Sequence, residues 1–389
     1  MDRIKKYLSQ RREEGNLREL QPVEARERGK IFRQQTRLID FSSNDYLGLS
    51  HHPRLIRAAK QALKKHGVGA GASRLLSGDY RLHHELEEAV ASFKRKESAL
   101  IFNSGYQANL GIISAFVGKG DAIFSDALCH ASQIDGAILS RATKFPFRHN
   151  DIGHLEELLK KERSRFDRAL ILTESVFSMD GDLAPLRELA DLKERYNCLL
   201  MVDEAHATGV FGNEGHGRVD ALNLNDRIDL VMGTFSKALG GFGAYLACSR
   251  NVTDYLINKA RSFIYSTALP PAIIAANLAA FDVLRGEPWR GSKLLARAEK
   301  FRQAVSKAGW PVKGGSQIVP VMVGESKIAL ALADALRAKG FYVLPIRPPS
   351  VPEGTARFRF SLCYDHAQKD LNALAAALKE LKNNPETGK

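Results

Sequence analysis

The sequence of 389 residues is long enough for two or three domains, and its 44% hydrophobic and 26% charged residues are typical of globular proteins. This composition excludes intrinsic disorder and fibrous repeats as the main organisation. The net charge of +13 is spread along helices without a basic block interleaved with aromatic residues. A solvated surface is therefore favoured over a nucleic-acid-binding face.

Targeting and cysteine signals indicate a cytoplasmic protein. The charged N-terminus, MDRIKKYLSQRREEG, lacks the apolar core of a secretory signal. The longest apolar stretch, Ala272–Leu284, contains two polar residues and is too short to cross a bilayer. The four cysteines are far apart and form no CxxC pair, which argues against disulfides and against a metal site. We therefore expect a reducing compartment, no membrane and no metal.

The first fifty residues are predicted to form a helix and an arm ending in the apolar turn FSSNDYLGLS. Residues 53–66 follow with apolar positions at helical spacing, and Gly67 is the predicted end of that helix. The glycine-rich loop GVGAGASRLLSG comes next and contains a G-x-G-x-x-A pattern. Because this pattern follows a helix and not a strand, a dinucleotide site is not supported.

Residues 51–287 are predicted to form a large α/β domain. Short apolar runs alternate there with amphipathic helical segments, which is typical of a mostly parallel sheet covered on both faces. The runs are SALIFN, DAIFSD, RALILTES, CLLMVDE, DLVMGT and AYLACS. Residues 288–389 change to helices mixed with the strand-like segments IVPVMV, FYVLPI and RFRFSL, which predicts a smaller α+β domain.

Reactive or polar residues follow five of the predicted strands. In open α/β sheets, ligands bind outside the carboxyl ends of the strands. The five segments are SGYQAN, ALCHAS, VFSMDGD, AHATG and FSKALGG. Their convergence predicts a ligand site at this edge of the sheet.

Lys237 and Asp203 are the strongest candidate residues. Lys237 sits among small residues directly after a buried strand, in TFSKALGG. A lysine on a wet loop is the ordinary interpretation, but small neighbours leave room for a bulky group, and a lysine with a lowered pKa can form a Schiff base. Asp203 ends another strand, where it can cap a helix or keep the ring nitrogen of a cofactor protonated.

These motifs resemble the pyridoxal 5'-phosphate (PLP) transferases of fold type I, the class-II aminotransferases. TFSKALGG is similar to the lysine site of that class, and VDEAHATGVFG, SSNDYLGLS and FSMDGDLAPL are similar to its α-oxoamine synthase branch. The segment Ile346–Arg359 is similar to the members of the branch that act in biotin synthesis. The resemblance implies a large domain with a mostly parallel seven-stranded sheet and a smaller α+β C-terminal domain.

The resemblance also implies the cofactor-binding residues. Lys237 would carry PLP covalently, Asp203 would pair with the ring nitrogen, and His130 would stack on the ring. The phenolic oxygen of the ring would lie near the side chains of His206 and Ser178. The phosphate would bind the backbone N–H groups of Gly105 and Tyr106 and the hydroxyl of Thr234. Lys237, His130, Asp203 and His206 would be catalytic.

Substrate contacts are implied for Arg18, Asn44, Arg347 and Ser350. Arg18 lies in an arginine-rich segment, where Arg11 or Arg12 are alternatives, whereas Arg347 lies in an unbroken motif. The implied reaction joins L-alanine to a pimeloyl thioester, carried by coenzyme A or acyl carrier protein, with loss of CO₂. The resemblance further implies a homodimer. The glycine-rich loop departs from some relatives, because Arg74 and Leu75 stand where those have a histidine.

Several alternatives stay open. Glycine C-acetyltransferase, serine palmitoyltransferase and 5-aminolevulinate synthase share the PLP motifs, so Lys237 and Asp203 do not separate them. A basic nucleic-acid-binding protein would require arginines and lysines clustered on one face. An inactive scaffold subunit of the same fold typically lacks the lysine that this chain has.

Overall fold

The computed structural model describes residues 1–383. Contacts within the chain define two compact units. The first unit comprises Met1–Gly48, Met179–Asp182 and the chain from Lys293 onward, and the second comprises Leu49–Ser178 and Leu183–Ser292. The division into segments 1–50, 51–287 and 288–389 remains a prediction.

The helices of the described residues alternate with strands through the middle of the chain. The helices are α1 Asp2–Glu13, α2 Pro53–His66, α3 Arg81–Lys94, α4 Gly105–Phe116, α5 Ala131–Ser140, α6 Ile152–Glu162, α7 Leu186–Arg195, α8 Arg218–Ala221, α9 Arg250–Lys259, α10 Arg261–Ile264, α11 Pro271–Gly286, α12 Trp289–Lys307, α13 Ser326–Ala338 and α14 Gln368–Asn383. The strands are β1 Ala25–Glu27, β2 Lys30–Arg33, β3 Thr36–Asp40, β4 Ser98–Phe102, β5 Ala122–Asp126, β6 Thr143–Phe147, β7 Ala169–Glu174, β8 Leu199–Asp203, β9 Leu230–Thr234, β10 Ala244–Cys248, β11 Ile318–Gly324, β12 Phe341–Tyr342, β13 Pro345–Ile346 and β14 Ala356–Ser361.

The second unit is built on a seven-stranded sheet with the order β4-β10-β9-β8-β7-β5-β6. Strand β10 runs antiparallel to both of its neighbours, and the other pairs are parallel. The predicted mostly parallel sheet is confirmed. The six apolar runs found in the sequence are β4, β5, β7, β8, β9 and β10, and β6 is the strand that they omit.

Both faces of this sheet are covered by apolar side chains. Successive residues of a strand point to opposite faces, so Leu170 and Leu172 of β7 join one core while Ile171 joins the other. Ile112 of α4 packs in the first core, and Leu189 of α7 packs in the second. Burying such a side chain contributes about 1.5–3 kcal/mol, which explains why these strands read as continuous apolar runs.

Helix α2 begins and ends where the sequence predicts. Helix α2 has Pro53 at its first position, where no N–H is needed, and the His52 side chain accepts a hydrogen bond from the N–H of Arg54 at 3.3 Å. Gly67 ends the helix with φ +77°, a conformation that residues with a Cβ disfavour. The glycine-rich loop thus follows a helix, as expected.

The first unit contains two small sheets. One has the order β1-β2-β3-β12, and the other has the order β11-β14-β13. The segment FYVLPI, predicted as one strand, is split between them, because Phe341–Tyr342 pairs with β3 and Pro345–Ile346 pairs with β14. Strands β1 to β3 were not predicted, since their sequence is too charged to give an apolar run. Within residues 1–383, the helices fall short of the length and apolarity that a bilayer crossing requires.

Candidate active site

A cavity of about 190 Å³ in the second unit is lined by residues from the carboxyl ends of three parallel strands, β7, β8 and β9, and from the starts of two helices, α4 and α5. It is lined by Gly105, Tyr106, Asn109, His130, Ser132, Glu174, Asp203, Ala205, His206, Met232, Thr234, Ser236 and Lys237. Seven of the eight predicted cofactor residues are therefore brought together. Ser178 is not part of this lining, although its segment follows β7 directly.

Lys237 faces His206 across the cavity, with Nζ and Nε2 2.9 Å apart. Lys237 follows β9, and His206 lies in the turn after β8, the neighbouring strand. His206 is only 4% exposed. The amine is thus held at a fixed place beside a ring nitrogen that can exchange a proton with it.

Asp203 ends β8 and its carboxylate is held from two sides. The N–H of Ala205 donates to Oδ1 at 2.9 Å, and the amide of Asn109 donates to Oδ2 at 3.1 Å. Asp203 is 6% exposed. Both donors stabilise the anionic form, so the site presents a buried and oriented negative charge.

Glu174 is a second carboxyl group in the cavity. It ends β7 and pairs in register with Asp203 on β8. Burial raises the pKa of Glu174 to about 8, the Asp203 charge adds to the shift, and the Lys237 ammonium opposes it. Among the described residues, Glu174 Oε1 is buried without a hydrogen-bond partner. The carboxyl group therefore stays protonated near neutral pH.

His130 caps α5 at the cavity mouth. Its Nδ1 accepts a hydrogen bond from the backbone N–H of Ser132 at 3.2 Å and lies 2.8 Å from Ser132 Oγ. The residue is exposed to solvent, yet desolvation at the cavity wall is the largest influence on the imidazole and lowers its pKa. The Asp203 charge opposes this shift, and the Lys237 ammonium adds to it.

The start of α4 supplies a site for an anion. Ser104 caps the helix, and its hydroxyl accepts from the N–H of Gln107 at 3.2 Å. Gly105 and Tyr106 occupy the first turn, where unpaired N–H groups and the helix dipole favour negative charge. A Cβ at Gly105 would lie 3.0 Å from the methyl group of the Met232 side chain.

Thr234 ends β9 with its hydroxyl already engaged. It donates to the carbonyl of Gly243 at 2.7 Å and accepts from the N–H of Ser236 at 3.1 Å. The two hydroxyl oxygens of Thr234 and Ser236 lie 2.6 Å apart. A hydroxyl pair, not Thr234 alone, therefore faces the cavity.

Three of the predicted substrate residues lie together in the first unit, beside a cavity of about 680 Å³. Arg18 donates to Ser350 Oγ at 2.8 Å, and Arg347 donates to the carbonyl of Gly15. Burial lowers the pKa of the Arg347 guanidinium, and the charges of Arg18 and Arg11 lower it further. This concentration of positive charge favours an anionic ligand.

Asn44 lies apart from that cavity lining and contacts a residue that the sequence did not single out. Its Oδ1 accepts from Arg359 at 3.1 Å and from the Tyr46 hydroxyl at 3.1 Å. Arg359 is 8% exposed and also donates to Ser361. Its position in β14, in the alternating RFRF pattern, was the available signal.

Asn109, Ser132 and Glu174 were also missed as lining residues. Asn109 lies one helical turn after Gly105, and Ser132 lies two residues after His130. Helical spacing from Gly105 would have indicated Asn109, whereas Ser132, two residues after His130, has no such signal. Glu174 is the last residue of a strand whose exit was recognised, but a buried glutamate is indistinguishable in sequence from an exposed one.

The comparisons with known proteins identify the family of the chain. The family described as aminotransferase class I and II matches residues 36–378. The chain is 49% identical to a protein of Geobacter sulfurreducens named 8-amino-7-oxononanoate synthase, over 96% of both chains.

Solved structures match the fold of the chain over most of its length. A serine palmitoyltransferase variant from S. paucimobilis, solved with bound PLP, is 30% identical with a TM-score of 0.90, over 97% of this chain and 96% of that one. The 8-amino-7-oxononanoate synthase of Francisella tularensis is 31% identical with a TM-score of 0.76, over 89% of this chain and 98% of that one. The chain belongs to the aminotransferase class I and II family.

Proposed function

We propose that this chain is an 8-amino-7-oxononanoate synthase that joins L-alanine to a pimeloyl thioester in biotin biosynthesis. The products are 8-amino-7-oxononanoate, CO₂ and the free thiol carrier. The observation that carries the proposal is the cavity holding Lys237, His206, Asp203 and His130, in a chain with 49% identity to a synthase of that name.

The residues of the cavity fit PLP. An amine for covalent attachment, a buried carboxylate for the ring nitrogen and an imidazole for the ring face surround one space. The start of α4 supplies N–H groups for the phosphate. PLP, when bound, supplies an electron sink that stabilises negative charge at the α-carbon of the amino acid.

Each side chain then has a separate task. Lys237 would hold the cofactor covalently, and its amine would remove and return the proton at the α-carbon of the amino acid. Asp203 keeps the ring nitrogen protonated, because its charge favours the cationic form. His206, beside the Lys237 amine, and Ser178 are proposed to contact the phenolic oxygen. Gly105, Tyr106 and Thr234 are proposed to hold the phosphate, with Ser236 beside Thr234.

Substrate binding is proposed for Arg18, Asn44, Arg347 and Ser350. The guanidinium groups of Arg18 and Arg347 suit the carboxylates of alanine and of the pimeloyl chain. Fixing the alanine carboxylate would orient the bond to the α-hydrogen, which raises the rate by positioning. The carrier is coenzyme A or acyl carrier protein, and both are acidic partners for a chain of net charge +13.

We further propose a cytoplasmic homodimer. The four cysteines are unpaired in the described structure, as a reducing compartment requires. Exposed apolar side chains such as Leu76 and Tyr265 suit burial against a second copy. Neither nucleic acid nor membrane has a part in the proposed activity.

Serine palmitoyltransferase is the second candidate, because its solved structures match the chain with a TM-score of 0.90. Turnover with paired substrates separates the candidates. We expect kcat/KM for alanine with pimeloyl-CoA to exceed that for serine with palmitoyl-CoA and for glycine with acetyl-CoA. A pocket distinguishes one methyl group by about 1–3 kcal/mol, so residual glycine activity is expected. A ratio that favours serine or glycine would overturn the assignment.

A further inference from the structure

A chain of hydrogen bonds connects Asp203 to His130 through two residues that line the same cavity. The Asn109 amide nitrogen lies 3.1 Å from Asp203 Oδ2 and 2.9 Å from Ser132 Oγ. A carboxylate only accepts hydrogen bonds, so the amide must turn its NH₂ group towards it. One amide hydrogen goes to Asp203 and the other goes to Ser132.

The direction of the Asn109 hydrogen bond determines which hydrogen bond Ser132 makes with His130. Because Ser132 Oγ accepts from Asn109, its own hydrogen is available for His130 Nδ1, 2.8 Å away. The backbone N–H of Ser132 points at the same nitrogen from 3.2 Å. His130 Nδ1 therefore faces two donors, and a nitrogen that accepts from donors carries no proton.

We propose that Asn109 and Ser132 are positioning residues that hold His130 as a neutral imidazole with its proton on Nε2, which reserves the Asp203 charge for the ring nitrogen of the cofactor. The inference rests on the proposed function only for the place of the cofactor. The tautomer itself follows from the hydrogen bonds of the chain.

The charged groups around His130 are compatible with a neutral ring. Asp203 of β8 and Asp135 of α5 favour the cation, whereas the Lys237 ammonium after β9 opposes it. Glu174 of β7 accepts from the backbone N–H of His130 and stays protonated, so it adds little negative charge near neutral pH. Desolvation is the largest influence and leaves the pKa of His130 below its usual value.

A protonated His130 would disturb its hydrogen bonds with Ser132 and the pairing of Asp203 with the ring nitrogen of the cofactor. Its Nδ1–H would meet the N–H of Ser132, and the Ser132 hydroxyl would have to turn away. The imidazolium would also place a positive charge near Asp203, in competition with the protonated ring nitrogen. A neutral ring avoids both and keeps the anion paired with the cofactor.

The test uses the PLP-loaded enzyme with ¹⁵N-labelled histidine, in which long-range proton–nitrogen NMR spectra distinguish the tautomers. Loss of a signal in His130→Gln assigns the residue. We expect the Nε2–H tautomer in the wild type at pH 7. Ser132→Ala should give a mixture of the two tautomers. It should also raise the titration midpoint of the His130 imidazole by roughly 0.5–1 pH unit, because the neutral form loses a hydrogen-bond donor.

Ser140→Ala is the matched control, because Ser140 is a buried serine of the same helix that bonds the carbonyl of Ala137 at 2.8 Å. It should leave the His130 signal unchanged. Asn109→Leu should shift the tautomer in the same direction as Ser132→Ala. A wild-type His130 that is cationic or protonated on Nδ1 would overturn the proposal, as would an unchanged signal in Ser132→Ala. Because the signal is read without turnover, failure of the alanine and pimeloyl reaction would count against the proposed function alone.

Discussion

Glu174 and Asp203 occupy paired positions at the ends of two neighbouring parallel strands, and both carboxyl groups line one cavity. Two carboxyl groups that are buried in one cavity do not ionise equally. Asp203 has two hydrogen-bond donors, whereas Glu174 Oε1 has no partner among the described residues. The two donors favour a carboxylate at Asp203, whereas burial keeps Glu174 protonated near neutral pH.

The pH dependence of stability should reveal this division. The folded-state pKa of Glu174, about 8, lies above the usual value of 4.5. Between these values the folded chain keeps a proton that the unfolded chain releases, so this group lowers stability as the pH rises through that window. In cofactor-free protein, Glu174→Gln should gain Tm relative to the wild type between pH 5 and pH 8. The exposed Glu157→Gln is the control, and an equal difference at both pH values would contradict the assignment.

A buried ion pair lies at the turn that follows Asp203 and carries His206. Lys94 donates to Glu204 Oε2 at 2.8 Å and to the carbonyl of His216 at 2.6 Å, and the pair is 3% and 0% exposed. Gly217, with φ +109°, approaches this pair so closely that a Cβ would lie 2.2 Å from Glu204 Oε2. This close approach explains the glycine that ends the segment VDEAHATGVFGNEGHG, residues 202–217.

Lys94→Met should destabilise the fold by about 3–5 kcal/mol, because it leaves the Glu204 charge buried and unpaired. Denaturant unfolding measures the change. The double variant Lys94→Met with Glu204→Gln should recover part of the loss, since no unpaired charge remains. Lys119→Met, at an exposed lysine, should change the free energy of unfolding by less than about 0.5 kcal/mol. A double variant as unstable as the single one would show that charge is not the cause.

The sheet of the second unit could be predicted because strands that are buried on both faces consist of continuous apolar runs. Leu170 to Leu172 are apolar in succession, and the helix boundaries at Pro53 and Gly67 have their own signals. Strand β6, TKFPF, was missed because it is an edge strand with exposed polar positions. The arm strands β1 to β3 were missed for the same reason, since much of their surface is exposed.

The site could be predicted where motif residues stand at strand ends, as Lys237 and Asp203 do. The residues that orient them could not. Asn109 and Ser132 act through hydrogen bonds between two helices, α4 and α5, whose contact depends on tertiary packing. The protonation state of Glu174 depends on its burial and on the neighbouring strand β8. Neither can be predicted from the local sequence pattern.

Lys237→Ala should remove covalent attachment of the cofactor and lower kcat by at least about 10²–10⁴-fold, the usual contribution of a positioned acid–base group. Borohydride reduction followed by mass spectrometry should find no cofactor fixed to the chain. Lys237→Arg, which keeps the positive charge beside His206, should be equally inactive because it neither attaches the cofactor nor exchanges the proton. Cofactor fixed by borohydride to Lys237→Ala would show that another lysine carries it.

Asp203→Asn tests the anion without changing the size of the side chain. We expect PLP to bind, with kcat lowered by about 10²-fold or more, because nothing then holds the ring nitrogen protonated. The variant has a second effect within the chain. The new amide can keep its oxygen on the N–H of Ala205, but its NH₂ group then meets the NH₂ group of Asn109, and two donors repel.

The exchange variant Asn109→Asp with Asp203→Asn separates these two effects. It restores a donor–acceptor pair between α4 and β8 with the charge moved to position 109, away from the end of β8. We expect the exchange to recover much of the thermal stability that Asp203→Asn loses, because the buried donors are paired again. Turnover should stay low, because the charge no longer lies where the ring nitrogen requires it. Recovery of turnover together with stability would show that Asp203 serves the packing of the two elements and not the charge of the cofactor ring.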